Sequence, residues 1–229
     1  MFNEILKYSY KHNLGHIPSA LSMVDYIEVL FNHITPQDDI VIGKPFGAQA
    51  YYCVWKKLHW LDDIDNLSMG VKHDEIPFID YSEETIGNAL GVASGMTMCS
   101  NKKTYVNITD AALQMGNTIE AIQFIGQHQQ NVTCLVDFNN AQVSGATDEI
   151  ISVRPIISMA KLYGWNIQMG DGHDKDWVRN VLLSTNNMNT PILIVCITEK
   201  GHGVPEMINE IKRWHYGKLT KNDLDRFMI

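Results

Sequence analysis

Five short runs rich in β-branched and aromatic residues, separated by segments long enough for helices, constrain this chain more than any other feature. They are IVIG (40–43), TYVNIT (104–109), VTCLVDF (132–138), WNIQM (165–169) and PILIVCIT (191–198). Near-continuous apolar runs of this length suit strands buried on both faces. Helix-length segments fall at 47–60, 86–99, 115–130, 153–164, 174–187 and 220–228. Ahead of them, Ser19 precedes Leu21, Val24, Ile27, Leu30, Phe31 and Ile34, an apolar stripe at helical spacing that predicts a helix over 19–34 with Ser19 as its N-cap. Strands alternating with helices predict an α/β fold, a parallel sheet covered by helices on both faces. With 229 residues and no repeat, linker or low-complexity tract, a single domain over 1–229 is expected.

Charge and cysteine usage narrow the function classes. The formal net charge is −8 and the basic residues are scattered, so nothing in the chain suits a nucleic-acid phosphate track. Cys53, Cys99, Cys134 and Cys196 lie far apart without a CxxC pair, and are read as reduced core residues of a cytoplasmic protein. The opening MFNEILKYSYKHNLGH has no apolar signal core, and no later run suits a bilayer span, so no membrane association is expected.

In open α/β sheets ligands bind beyond the carboxyl ends of the strands. Two such places stand out. Asp110 ends the run TYVNIT ahead of a helical segment, where a carboxylate can hold a cation that in turn holds phosphate oxygens. Asp137-Phe138-Asn139-Asn140-Ala141-Gln142-Val143-Ser144-Gly145 ends the next strand with turn-forming residues, and Asn139 offers a neutral oxygen suited to Mg²⁺ or Ca²⁺. Taken singly, Asp110 reads as a helix cap and Asn139 with Asn140 as ordinary turn residues. Their separation of 29 residues, with one helix and one strand between, brings both to the same end of neighbouring parallel strands.

That arrangement resembles the thiamine-diphosphate metal motif, a GDG followed after one βαβ unit of roughly 30 residues by an Asn-containing turn. Other segments are similar, in the same order, to the N-terminal domain of transketolases. GHIPSALSMVDYIEVLF (Gly15 to Phe31) resembles a GHPGGSLS-type opening, ETIGNALGVASGM (Glu84 to Met96) resembles GSLGQGLSVAVGM, and DFNNAQVSGATDEI resembles DYNGLQLDGPTDEI. YGWNIQMGDGHD resembles FGWNVIEVDGHD, EKGHGV resembles VKGKGV, and WHYG resembles WHG.

The resemblance implies a thiamine-diphosphate-binding fold, the diphosphate-binding type, and thiamine diphosphate with Mg²⁺ or Ca²⁺ as cofactors. It assigns the metal to Asp110, Asn139 and the carbonyl of Ala141. Cofactor contacts are implied for His16, Ile86, Asp110, Ala111, Asn139, Ala141, Val143 and His215, with Ile86 and Val143 against the thiazolium ring. Catalytic roles are implied for His16 and His215, imidazoles that donate hydrogen bonds or relay protons near neutral pH, and for His73. Three departures stand against the pattern. GDG reads Thr109-Asp110-Ala111; SKGHG reads Gly43-Lys44-Pro45-Phe46-Gly47, with Phe46 in place of a histidine; and the glutamate of QEG is Met115. The implied reaction is transfer of a two-carbon ketol unit from a ketose or ketose phosphate to an aldehyde. The chain reaches Ile229 before a pyrimidine-binding domain begins, so a C-terminal transketolase subunit is expected to supply the activating glutamate, in a heterodimer or heterotetramer. Two alternatives stay open: a thiamine-diphosphate carboligase or decarboxylase acting on a modified sugar or 2-oxo acid, and a degenerate, non-catalytic subunit.

Overall fold

A computed structural model describes residues 1–100 and 102–228. Two helices open the chain, α1 (Phe2–Lys11) and α2 (Ile17–His33), followed by β1 (Asp39–Gly43), α3 (Ala48–Lys57), β2 (Tyr81–Ser82) and α4 (Ala89–Cys99). The middle runs through β3 (Thr104–Thr109), a 3₁₀ turn (Asp110–Gln114), α5 (Gly116–Gln127), β4 (Val132–Phe138), α6 (Thr147–Ile150) and α7 (Arg154–Leu162). Last come β5 (Asn166–Asp171), α8 (Lys175–Thr185), β6 (Ile192–Ile197), α9 (Pro205–Asn209), α10 (Ile211–His215) and α11 (Lys221–Phe227).

The six strands form one sheet in the order β2-β1-β3-β4-β6-β5, and every pairing is parallel. The α/β expectation therefore holds. Successive side chains of a strand point to opposite faces, and here both faces are apolar. Ile40, Ile42, Leu135, Ile192 and Ile194 belong to one apolar cluster with residues of α1, α2, α3, α8 and α11, whereas Val41, Cys134, Val136, Leu193 and Val195 belong to a second with residues of α4, α5 and α7. Two covered faces explain why the strands read as unbroken apolar runs rather than as alternation.

Some expectations are corrected. The first long helix starts at Ile17, and Ser19 lies inside it as a buried residue while His16, in a left-handed conformation with φ 55°, occupies the N-cap. Pro18 fits this first turn because its missing N–H has no intrahelical partner there. Cys53, Cys134 and Cys196 are buried and free, but Cys99 is exposed at the end of α4. The strand expected at 165–169 begins at Asn166 and extends to Asp171, since Trp165 is buried in a turn with its indole nitrogen donating to the Ile122 carbonyl at 2.9 Å. Among the described residues no helix is long and apolar enough to cross a membrane.

Candidate functional site

The carboxyl ends of β1, β3, β4 and β6 converge on a cavity of 260 Å³. Its lining brings together His16 and Ser19 from the start of α2, Lys44 to Phe46 after β1, Ile86, Thr109 to Ala111 after β3, Asn139 and 141–144 after β4, Lys200 after β6, and His215. Chain neighbours β1 and β2 turn one way from this point and β3, β4 and β6 the other, which opens the crevice that open α/β sheets use for ligands. Of the residues singled out in the sequence, His16, Ile86, Asp110, Ala111, Asn139, Ala141, Val143 and His215 all line it. His73 does not: its backbone N–H donates to Ser82 Oγ at 3.0 Å and its ring stacks on Tyr81 at the β2 edge.

Register fixes the central pair. Thr109 lies opposite Asp137, so Asp110 and Asn139 follow the ends of paired neighbouring strands. Asp110 is 2 % exposed. One oxygen accepts from its neighbour Ala111 N (2.7 Å), the other from Asn140 N (2.8 Å) and Thr147 Oγ1 (3.0 Å). Burial pushes its pKa up to about 6, with the Asp137 carboxylate adding to the shift against those three bonds. Asn139 Oδ1 accepts from Ala141 N at 3.0 Å, and the Ala141 carbonyl accepts from Lys200 Nζ at 2.9 Å. A carboxylate, an amide oxygen and a peptide carbonyl, one of them already facing an ammonium group, form an oxygen-only set suited to a hard dication such as Mg²⁺ or Ca²⁺.

Beneath this layer Asp137 is wholly buried and serves the scaffold. It pairs with Lys44 and accepts from Ser22 Oγ (2.8 Å), Thr198 Oγ1 and Asn139 Nδ2 (2.9 Å). Burial alone would raise its pKa, but the Lys44 charge, with hydrogen bonds from Lys44, Thr198 and Ser22, holds it below the usual carboxylate range. Asn139 is thereby oriented: its amide nitrogen is spent on Asp137, and its oxygen is left toward the cavity side.

The imidazoles sit at the mouth. His16 stacks on Phe46 with centroids 5.0 Å apart and meets His215 edge-on at 5.1 Å. Burial first, then the charges of Lys200 and Lys44, lowers the His16 pKa to about 4. His215 is lowered to about 4 by burial, Lys200 and His16. Both rings are neutral at pH 7, so their part is to donate or accept hydrogen bonds; neither holds an exchangeable charge at neutral pH. Lys200 Nζ lies 3.3 Å from His215 Nδ1 and donates to it, which leaves the ring proton on Nε2. Burial and Lys44 lower the Lys200 pKa to about 8, against the pull of Asp137 and Asp110.

The turn that presents Ile86 is pinned from below. Glu83, 3 % exposed, accepts from Gly87 N (3.0 Å), Asn88 N (2.8 Å) and Ala89 N (2.8 Å), satisfying donors at the start of α4. Gly87 has φ 122°, and a Cβ there would lie 2.9 Å from the Cβ of Met115. Met115 thus fills the space under the turn.

The profile of the family described as "Transketolase, thiamine diphosphate binding domain" matches residues 89–227. The chain belongs to this family. An apulose-4-phosphate transketolase subunit from Phocaeicola vulgatus is 26% identical over 236 residues, covering 92% of this chain and 84% of that protein. Human transketolase-like protein 2 is 23% identical over 92% of this chain, but the match takes up only 38% of its own length. Among solved structures, a transketolase from Campylobacter jejuni superposes with a TM-score of 0.72 at 15% identity, over 92% of this chain and 42% of that one. The chain thus spans about two fifths of the long transketolases it matches and most of the Phocaeicola subunit.

Against the transketolase pattern, the three departures have definite places. Ala111 lines the cavity, and its amide remains tied to Asp110. Phe46 covers one face of His16. Met115 props the Ile86 turn. Lys44, Lys200, Glu83 and Thr147 were not singled out from sequence, although each lies in or beside a motif segment. Their signal is a buried polar group, after a strand end for Lys44, Glu83 and Lys200 and at the start of α6 for Thr147, and burial becomes visible only in three dimensions.

Proposed function

We propose that this chain is the diphosphate-binding subunit of a split, thiamine-diphosphate-dependent transketolase, one domain over 1–229, that moves a two-carbon ketol unit from a ketose or ketose phosphate to an aldehyde. The observation that carries this reading is the juxtaposition of Asp110, Asn139 and the Ala141 carbonyl on one wall of the cavity. The match over 84% of a protein that is itself named as one subunit of a transketolase supports the split arrangement.

In this reading Asp110, Asn139 and Ala141 hold Mg²⁺ or Ca²⁺, which anchors the diphosphate. The bound cofactor supplies an electron sink for cleavage and formation of the carbon–carbon bond. Lys200, whose ammonium faces the Ala141 carbonyl, offers the diphosphate a positive charge, whereas the Lys44 charge is matched by Asp137. Ile86 and Val143 support the thiazolium ring with apolar contact. His16 and His215, kept neutral by burial, direct hydrogen bonds at the diphosphate and the substrate without bringing a competing charge. A C-terminal subunit of the pyrimidine-binding type closes the open side and contributes the activating glutamate, giving a heterodimer that doubles to a heterotetramer.

Isothermal titration of thiamine diphosphate with Mg²⁺ tests this, on the chain alone and on the chain co-purified with the polypeptide encoded beside it, with Asp110→Ala as control. Binding that requires the partner and disappears in Asp110→Ala is expected. Absence of binding in both preparations would leave a degenerate, non-catalytic subunit. Release of CO₂ during turnover of a 2-oxo acid would move the assignment to a decarboxylase.

A further inference from the structure

A second group of metal-ligating side chains lies outside the cavity, where the turns after β5 and β6 meet α2. Ligand atoms of Asp25, His173 and His202 all fall within 4.8 Å of one another. Asp25 Oδ2 is 3.0 Å from His173 Nδ1, and the rings of His173 and His202 are stacked with centroids 3.6 Å apart and 16° between planes. Glu199 Oε2 lies 3.6 Å from His202 Nδ1. Residues 25, 173 and 202 belong to three separate elements, so the convergence is a product of the tertiary fold. Glu199 and His202 stand three residues apart in the turn EKGHGV that follows β6. Both are metal-ligating residue types, and both fall beside the Asp25–His173 pair.

We propose that Asp25, His173 and His202, with Glu199 as a fourth donor, bind a first-row transition-metal dication of the Zn²⁺ type. Two imidazoles with carboxylates select a borderline cation over Mg²⁺ or Ca²⁺, which favour oxygen sets. Tetrahedral bonds of about 2.0–2.2 Å place ligand atoms roughly 3.3–3.6 Å apart, so the cluster closes by no more than about 1.5 Å. His202 supplies the movement: its side chain is 43% exposed, and rotation out of the parallel stack brings the ring plane onto the ion. His173 Nε2 now accepts from the Glu199 amide at 3.0 Å, which leaves the ring proton on the Nδ1 facing Asp25. The ion takes the place of that proton, the ring carries its single proton on Nε2 instead, and the Glu199 amide turns to water. Lys175, 3.2 Å from Asp25, keeps its second partner Glu28 at 2.8 Å when the ion takes Asp25. The filled site ties α2 to the turn that carries Lys200 into the cofactor cavity, and so sets how rigidly that lysine is held.

The experiment is titration of the full chain with CoCl₂, followed by visible absorption, and with ZnCl₂, followed by calorimetry. The set is wild type, His202→Lys, Asp25→Asn and Asp110→Asn. A single equivalent with a tetrahedral Co²⁺ spectrum is expected in the wild type and in Asp110→Asn. In both His202→Lys and Asp25→Asn the spectrum is lost and Zn²⁺ affinity falls at least tenfold, while circular dichroism shows the fold intact. Wild-type protein that gives no tetrahedral spectrum, or either of those two variants retaining wild-type affinity, would overturn the proposal.

Discussion

Asp110 is held ionised at a cost to the fold. Its folded pKa of about 6 lies above the 3.8 of a free side chain, so the native state loses stability as pH rises between those values, reaching about 3 kcal/mol at pH 7. Asp110→Asn removes the charge but cannot accept the Asn140 N–H, a loss of about 1 kcal/mol. The variant without cofactor is expected to be about 1–2 kcal/mol more stable than wild type at pH 7, with the difference shrinking toward pH 4, while metal-dependent cofactor binding disappears. Urea unfolding at the two pH values, beside the calorimetry above, checks both halves. Asp137 behaves oppositely. Its depressed pKa contributes stability above the unfolded value that is lost as pH falls through the folded one. Lys44→Met strands that carboxylate in the interior and is expected to cost about 3–5 kcal/mol at pH 7, less in acid, read from the same unfolding curves. Asp110 and Asn139 were legible in the sequence because two strand ends and one βαβ spacing are local features, whereas the Ala141 carbonyl entered only through the resemblance to transketolases. Lys44 was not, because its partner lies 93 residues further along and only the sheet order brings them together.

At the level of elements, the strands were legible and the helix ends less so. Apolar runs buried on both faces leave little ambiguity, and four of the five expected strands agree with the structure to within a residue at each end. The start of α2 misled, because Ser19 looks like a cap whereas the left-handed His16 and Pro18 set the entry of the chain. α1 was missed: Met1 gives it no capping side chain, and its buried residues Ile5, Leu6, Tyr8 and Ser9 mix polar with apolar. The two-residue β2 and the short α6, α9 and α10 are held by tertiary contacts, since pieces of this length have no helical or strand stability of their own. The joint between β1 and α4 leaves no spare volume. A Cβ on Gly43 would sit 2.6 Å from Ala89 Cβ and 2.8 Å from Ile108 Cγ2. Gly43→Ala is therefore expected to destabilise by about 1–3 kcal/mol, and a lowered thermal midpoint measures it.

For the whole molecule, the cavity is walled on one side by this chain and open on the other. Val143 at its rim is 52% exposed, unusual for an apolar residue assigned to support a ring. Val143→Asp is expected to leave the unfolding free energy within about 0.5 kcal/mol of wild type. In the assembled enzyme the same change weakens thiamine diphosphate binding at least tenfold, and paired melts and titrations separate the two effects. The order of strands in the sheet also governs the chain while it is being made. Among the described residues β5 pairs only with β6, and β6 in turn docks on β4. As the ribosome delivers residues 166–171, the sheet neighbour they need is still inside the exit tunnel, so β5 emerges with its pairing edge bare and waits for residue 197 to clear. Translation of this stretch sets the interval during which the nascent sheet is vulnerable to capture by another strand, and a pause there would lengthen it.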